Sequence, residues 1–180
     1  MERIKRFIKD VEIKDEDIRY IKFRNFDGHP DKLNPKGCIG NFTVVLTEEK
    51  AKEIERMFEG KEMFALKVRW KPNAKEELEP TLKVNVNFDN PDKPIRVGLR
   101  NLVSKTLRYL DKSTISVLNT AEFDQVHLIV GPSKGNGCYL QQGLFAIAER
   151  NIFDGLDIEE DYPYSNDPID VDEYIPDEVD

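Results

Sequence analysis

In the run Leu82-Lys83-Val84-Asn85-Val86-Asn87-Phe88, apolar and polar residues alternate without a break. Side chains on a strand point to opposite faces with a period of two, so Leu82, Val84, Val86 and Phe88 need a core, and Lys83, Asn85 and Asn87 face water. Residues 63–70 repeat the phase: Phe64, Leu66, Val68 and Trp70 alternate with Lys67 and Arg69. A polar loop, 71–79, separates the two runs, which predicts an antiparallel meander with one wet face. A third strand is expected over 18–24. It would turn Ile21 and Phe23 inward and Tyr20, Lys22 and Arg24 outward. Ile95, Val97 and Leu99 alternate with Arg96 and Arg100 in a further strand, which leads into an irregular connection holding Lys105, Arg108 and Tyr109.

Residues 41–46 read as a short buried strand. Thr47 then caps a helix with Glu48 and Glu49 in its first turn, Ala51, Ile54, Met57 and Phe58 on one face, and Gly60 at its end. A strand is predicted over 126–130, a glycine-rich turn over 131–137 and a long closing strand over 138–148. Ser113 to Leu118 fits a helical turn. The first 17 residues mix helical and strand spacing and read as an edge element of either kind. The loop 25–40, with Pro30, Pro35, Lys32 and Lys36, is long for a connection inside one domain, and such loops are usually functional. Several short strands with one inserted helix indicate a mainly β fold, a small antiparallel barrel or sandwich.

Charge divides the chain. The whole carries −8, yet there is no Lys or Arg after Arg150, and residues 154–180 hold 12 acids. Removing those 12 from the 35 acids leaves 23 against 27 bases, so residues 1–153 carry +4. The expected organisation is therefore a basic domain, 1–153, and a flexible acidic tail, 154–180, with too few apolar residues for a core. Within the tail, Tyr162, Tyr164, Asp170, Asp172, Glu173, Tyr174 and Ile175 make an acidic, aromatic segment suited to recruiting a protein partner. No apolar run approaches the ~20 residues of a membrane helix. No secretory signal is visible, so a cytoplasmic location is expected. Cys38 and Cys138 are expected as free thiols.

The wet faces gather cations while acids collect elsewhere. Lys22, Arg24, Lys67, Arg69, Lys83, Arg96 and Arg100 share the outward phase, with Asn85 and Asn87 among them. Tyr20, Phe26, Tyr109 and Tyr139 are the flat side chains within reach, and Trp70 falls in phase with the core. Lys32, Lys36 and Lys134 sit on loops where each could meet a phosphate. Cations that track a backbone and rings on which bases stack are the two parts of a sequence-independent single-strand binding site. Catalytic readings have little to stand on. His29 and His127 lie far apart and neither is in metal-ligand spacing with a cysteine. The glycine-rich turn has no helix signal behind it and is no P-loop. No catalytic residue, metal or cofactor is assigned.

Five stretches in order carry a resemblance: Phe23-Arg24-Asn25-Phe26-Asp27-Gly28, Lys32-Leu33-Asn34-Pro35-Lys36-Gly37, Asn41-Phe42-Thr43-Val44-Val45-Leu46, Leu82 to Phe88, and the late strand from Leu140 to Ala148. From Ile18 to about Glu149 the chain resembles a family of single-stranded-DNA-binding proteins of tailed bacteriophages. The resemblance implies an OB-type, five-stranded antiparallel barrel with insertions. It also implies a role in phage DNA replication or recombination inside a bacterial host. Single-stranded DNA is then the expected partner of the basic face, and replication or recombination proteins are the expected partners of the tail. A competing reading makes the acidic tail a nucleic-acid mimic that inhibits a host protein. A metal-dependent nuclease is the weakest of the three.

Overall fold

The computed structural model describes residues 10–133 and 138–148. The alternating run is the centre of its sheet. Strand β5 (Leu78–Val86) pairs antiparallel with β3 (Gly40–Leu46), in register from Val45 opposite Thr81 to Gly40 opposite Val86. Phe42, Val44, Leu46, Leu82, Val84 and Val86 point to the same side and are all buried. Burying each such side chain is worth about 1.5–3 kcal/mol against leaving it in water. The opposite side of the same two strands carries Asn41, Thr43, Lys83 and Asn85.

Helix α1 (Glu48–Met57) begins where expected, with the Thr47 hydroxyl accepting from the Lys50 amide at 3.2 Å. Ala51, Ile54 and the following Phe58 are buried, and Gly60 takes φ +80° just past the end. Strand β2 (Ile18–Asn25) flanks β3 as the end of the sheet path. Strand β4 (Arg69–Pro72) pairs with the beginning of β5 across a turn at Asn73–Glu77. The strand expected over 63–70 is thus displaced. Only its last two residues join the ladder, and Phe64 takes φ +55°, which no regular strand accommodates. Leu66 is still buried and Lys67 and Arg69 still exposed.

The far half of the sheet is built around β9 (Cys138–Ile147). It runs antiparallel to β8 (Gln125–Pro132), which in turn pairs with the edge strand β1 (Val11–Ile13). It is parallel to β5 at Val84–Cys138 and Asn85–Tyr139, and parallel to β6 (Arg96–Asn101) along that strand's length. β6 also pairs with β7 (Thr106–Leu110), an antiparallel strand where an irregular connection was expected. Residues 115–119 form a 3-10 turn near the predicted helical one.

Two expectations about architecture need correcting. The described residues hold nine strands in one mixed sheet, not five in an antiparallel one. The sheet is also open, because its path ends on β1 and β2, which do not pair with each other. Alternation reports which face of a strand is buried, not the direction of its neighbour, so the two parallel pairings of β9 left no mark in the pattern. The core closes instead through aromatic packing: Phe26 stacks on Phe42 at 4.5 Å between centroids, and Phe145 meets both edge-on.

Candidate nucleic-acid interface

Pairing register assembles the site. Lys22 lies opposite Thr43, and Thr43 opposite Lys83, so a short side chain separates two long cations. Arg69 lies opposite Thr81, whose hydroxyl donates to the Arg69 carbonyl at 2.9 Å. Lys71 follows two residues along the same face, and Lys67 enters from the segment before β4. The result is a shallow groove of about 370 Å³ lined by Lys22, Phe23, Thr43, Lys67, Arg69, Lys71, Thr81, Lys83 and Asn85. Five of these nine are cations and none is an acid. The small threonines form its floor and the cations its walls.

Phe23 belongs to this groove because strand β2 bulges. Between Lys22–Thr43 and Asn25–Asn41, β2 spends two residues where β3 spends one. An extra residue reverses the alternation beyond it. Phe23, expected inside, takes φ +56° and is 72% exposed. Arg24 and Phe26, expected on the wet face, turn away from it. The Arg24 guanidinium donates to the carbonyls of Leu118 and Ala121 and lies 4.3 Å over the Phe123 ring, and burial lowers its pKa. Phe26 is 1% exposed in the aromatic core, its amide held by Asn119 Oδ1 at 2.7 Å. Neither lines the groove. The sequence held a signal of this reversal: Ile21 and Phe26 both need a core, yet their odd spacing puts them on opposite faces of any regular strand.

One carboxylate sits at the groove's end. Glu79 is 3% exposed and accepts from the Tyr20 hydroxyl at 2.6 Å and from Asn73 Nδ2 at 3.1 Å. Lys22 Nζ stands 3.5 Å away and Arg19 Nη1 4.0 Å. The Tyr20 bond, first, and that from Asn73 hold the Glu79 carboxyl below its usual range, and the same bond raises the Tyr20 hydroxyl above its own. Tyr20 does share the outer face with Lys22 and is 40% exposed, but its hydroxyl is committed to Glu79. Glu79 and Lys71 fell within a predicted loop and were missed for that reason.

Residues 2–162 match the family model described as "Putative phage ssDNA-binding domain". The chain belongs to that family. No curated protein and no solved structure matches it.

The remaining candidates of this phage ssDNA-binding domain are spread more widely. Asn85 lines the groove, but Asn87 lies past the end of β5, where its side chain accepts from the Asp89 amide at 2.9 Å and makes a turn. Lys32 and Lys36 are exposed on the loop after β2 and do not line the groove. Tyr139 shares the face of Asn85, with Lys93 Nζ 4.3 Å over its ring. Arg96 and Arg100 are exposed on β6. Lys134 and the tail residues Tyr162, Tyr164, Asp170, Asp172, Glu173, Tyr174 and Ile175 lie outside the described residues. Among the described residues, no group of three or more His, Cys, Asp or Glu could hold a metal ion, and no helix is long and apolar enough to cross a membrane. Cys38 and Cys138 are free, and burial pushes the Cys138 thiol pKa far up.

Proposed function

We propose that the groove binds single-stranded DNA without sequence preference, in phage DNA replication or recombination in the host cytoplasm. Membership of a phage ssDNA-binding family supports the ligand class. The observation that carries the site is the convergence of five cations and an exposed phenyl ring on one acid-free groove, in a chain of net charge −8. Lys67, Arg69, Lys71 and Lys83 contact phosphates, Phe23 offers a base its flat face, and Thr43, Thr81 and Asn85 supply neutral hydrogen bonds. Residues 1–153 form the binding unit. The tail, 154–180, competes for the groove when DNA is absent and recruits replication or recombination proteins when displaced. Tethering gives it a local concentration of ~mM at the groove, enough for a weak contact to matter.

The test is a fluorescence-anisotropy titration with labelled oligothymidylate over a range of salt. Changing Lys67, Arg69 and Lys83 together to Ala should lower the log–log salt slope by about 2, at ~0.7 per phosphate contact. A folded triple variant with the wild-type slope would leave this face merely solvated. Protein that binds no strand, with or without its tail, would fit the decoy reading instead.

A further inference from the structure

The groove occupies one end of a longer face. Register carries the outer side of the sheet from strand to strand: Lys22, Thr43 and Lys83 align, as do Asn41, Asn85 and Tyr139. On β9 the register shifts by one residue at Gln141, so Gln142 and Leu144 continue the outer side. These lie beside Arg96 and Gly98 of β6, and Gly98 lies opposite Tyr109 of β7. β8 holds one edge of β9, so β5 and β6 share the other edge end to end: β6 continues the lane of β5, and β7 lies beyond β6 as β3 lies beyond β5. The outer face of β2, β3, β5, β9, β6 and β7 therefore runs on from the groove along the direction of β9. Those six strands contain seven Lys and Arg and a single acid, Glu79, which sits at the far end.

The β7 end repeats the chemistry of the groove. Tyr109 is 59% exposed, with the Arg96 guanidinium 5.6 Å over its ring. At the other end Phe23 is 72% exposed, with Lys22 Nζ 5.1 Å over its ring. Between them, beside Asn85, Lys93 covers the half-buried Tyr139, so that station presents a cation rather than a bare ring. Gly98 leaves room for the side chains beside the β7 platform. A Cβ there would come within 3.2 Å of Leu144 Cδ1 and 3.3 Å of Leu107 Cδ1, the side chains that settle over its bare backbone beside Tyr109.

We propose that a bound strand leaves the groove, runs along β9 past Lys93 and ends on Tyr109, which is a second stacking platform with Arg96 as its phosphate contact. The inference rests on the groove binding single strands. From Cys138, opposite Val84 beside the groove, to Leu144, opposite Gly98 and so level with Tyr109, β9 advances ~20 Å at ~3.3 Å per residue. That length takes about six nucleotides at a stacked rise of ~3.4 Å and fewer where the strand is extended. Such a footprint lies within the ~4–16 nucleotides of single-strand sites on β folds.

The experiment titrates full-length protein with oligothymidylates of increasing length. Wild-type affinity should climb with length until the oligonucleotide reaches both platforms. Tyr109→Ala should bind the shortest oligonucleotides as wild type does and lose about 5- to 150-fold on the long ones, the worth of one stacked base. Tyr109→Phe should keep wild-type affinity at every length, since the ring remains. Arg96→Ala should lower the salt slope by about 0.7 on long oligonucleotides alone. If wild type binds in the groove and folded Tyr109→Ala equals it at every length, this path is wrong and the groove reading stands. If wild type binds no strand at all, both fall.

Discussion

Phe23→Gly separates stability from binding. Most exposed phenylalanines cost little to remove, but this one holds a left-handed backbone at φ +56°. That conformation costs an L-residue about 1–2 kcal/mol, and glycine adopts it freely. Against this gain stand about 0.5–1 kcal/mol of extra unfolded-state entropy for glycine and a similar amount for the lost contact with the Lys22 ammonium. The three nearly cancel, so the variant should melt within about 1 kcal/mol of wild type, whereas deleting a core phenylalanine costs about 3–5 kcal/mol. Binding should behave otherwise. Loss of one stacked base is worth ~1–3 kcal/mol, or about 5- to 150-fold in Kd, with the salt slope unchanged because stacking releases no counterions. Thermal unfolding by circular dichroism and anisotropy titrations across salt measure the two effects. A stability loss of core size would make Phe23 a structural residue. Wild-type affinity in a folded variant would remove it from the site.

Glu79→Gln should act on both stability and binding. The depressed Glu79 pKa contributes stability that is present above the ordinary glutamate value of ~4.3 and lost as pH falls through the folded value, so the variant's stability should fall less steeply in acid. The raised Tyr20 pKa acts at the other limb, its contribution present below pH ~10 and lost above it, and Tyr20→Phe should abolish that alkaline loss. Freed of its carboxylate, Lys22 should add about 0.7 to the salt slope in Glu79→Gln, and an unchanged slope would mean that Lys22 already faces the strand. Deleting residues 154–180 should raise affinity for short oligonucleotides at low salt, with a gain that shrinks as salt screens the internal competitor. Equal constants for truncated and full-length protein at low salt would end the autoinhibition reading.

Strands whose two faces differ sharply were legible. β3, the body of β5, β6 and the capped helix lie close to where alternation and capping put them, because burial of one face decides each locally. The failures have physical causes. At β2 a bulge reverses the phase after Lys22, and alternation read through it exchanges Phe23 for Arg24 and sends Phe26 to the wrong side. At β4 a positive φ at Phe64 delays pairing until Arg69, which brings Lys71 and Glu79 out of a predicted loop and into the sheet. At β7, Leu107 and Tyr109 stay exposed and Leu110 is buried, so no inward apolar set announces a strand.

Charge was legible for a different reason. It depends on which residues occupy strands, not on the side each one takes, so it survives errors of phase. Arg24 leaves the wet face, but Lys71 joins it, and both changes come from the same kind of local irregularity. A chain of −8 can then offer a cationic surface because the acids lie in other segments, 12 of them in the last 27 residues. Glu79 tests the rule. It is the single acid on six adjoining strands and is nearly buried, with two hydrogen-bond donors and two cations turned toward it. A carboxylate satisfied in this way holds Tyr20 and Lys22 in place and subtracts from the field at one end of the groove alone. On the proposed path phosphates would therefore be favoured from Lys83 toward β7, which gives the face a direction that composition could not reveal.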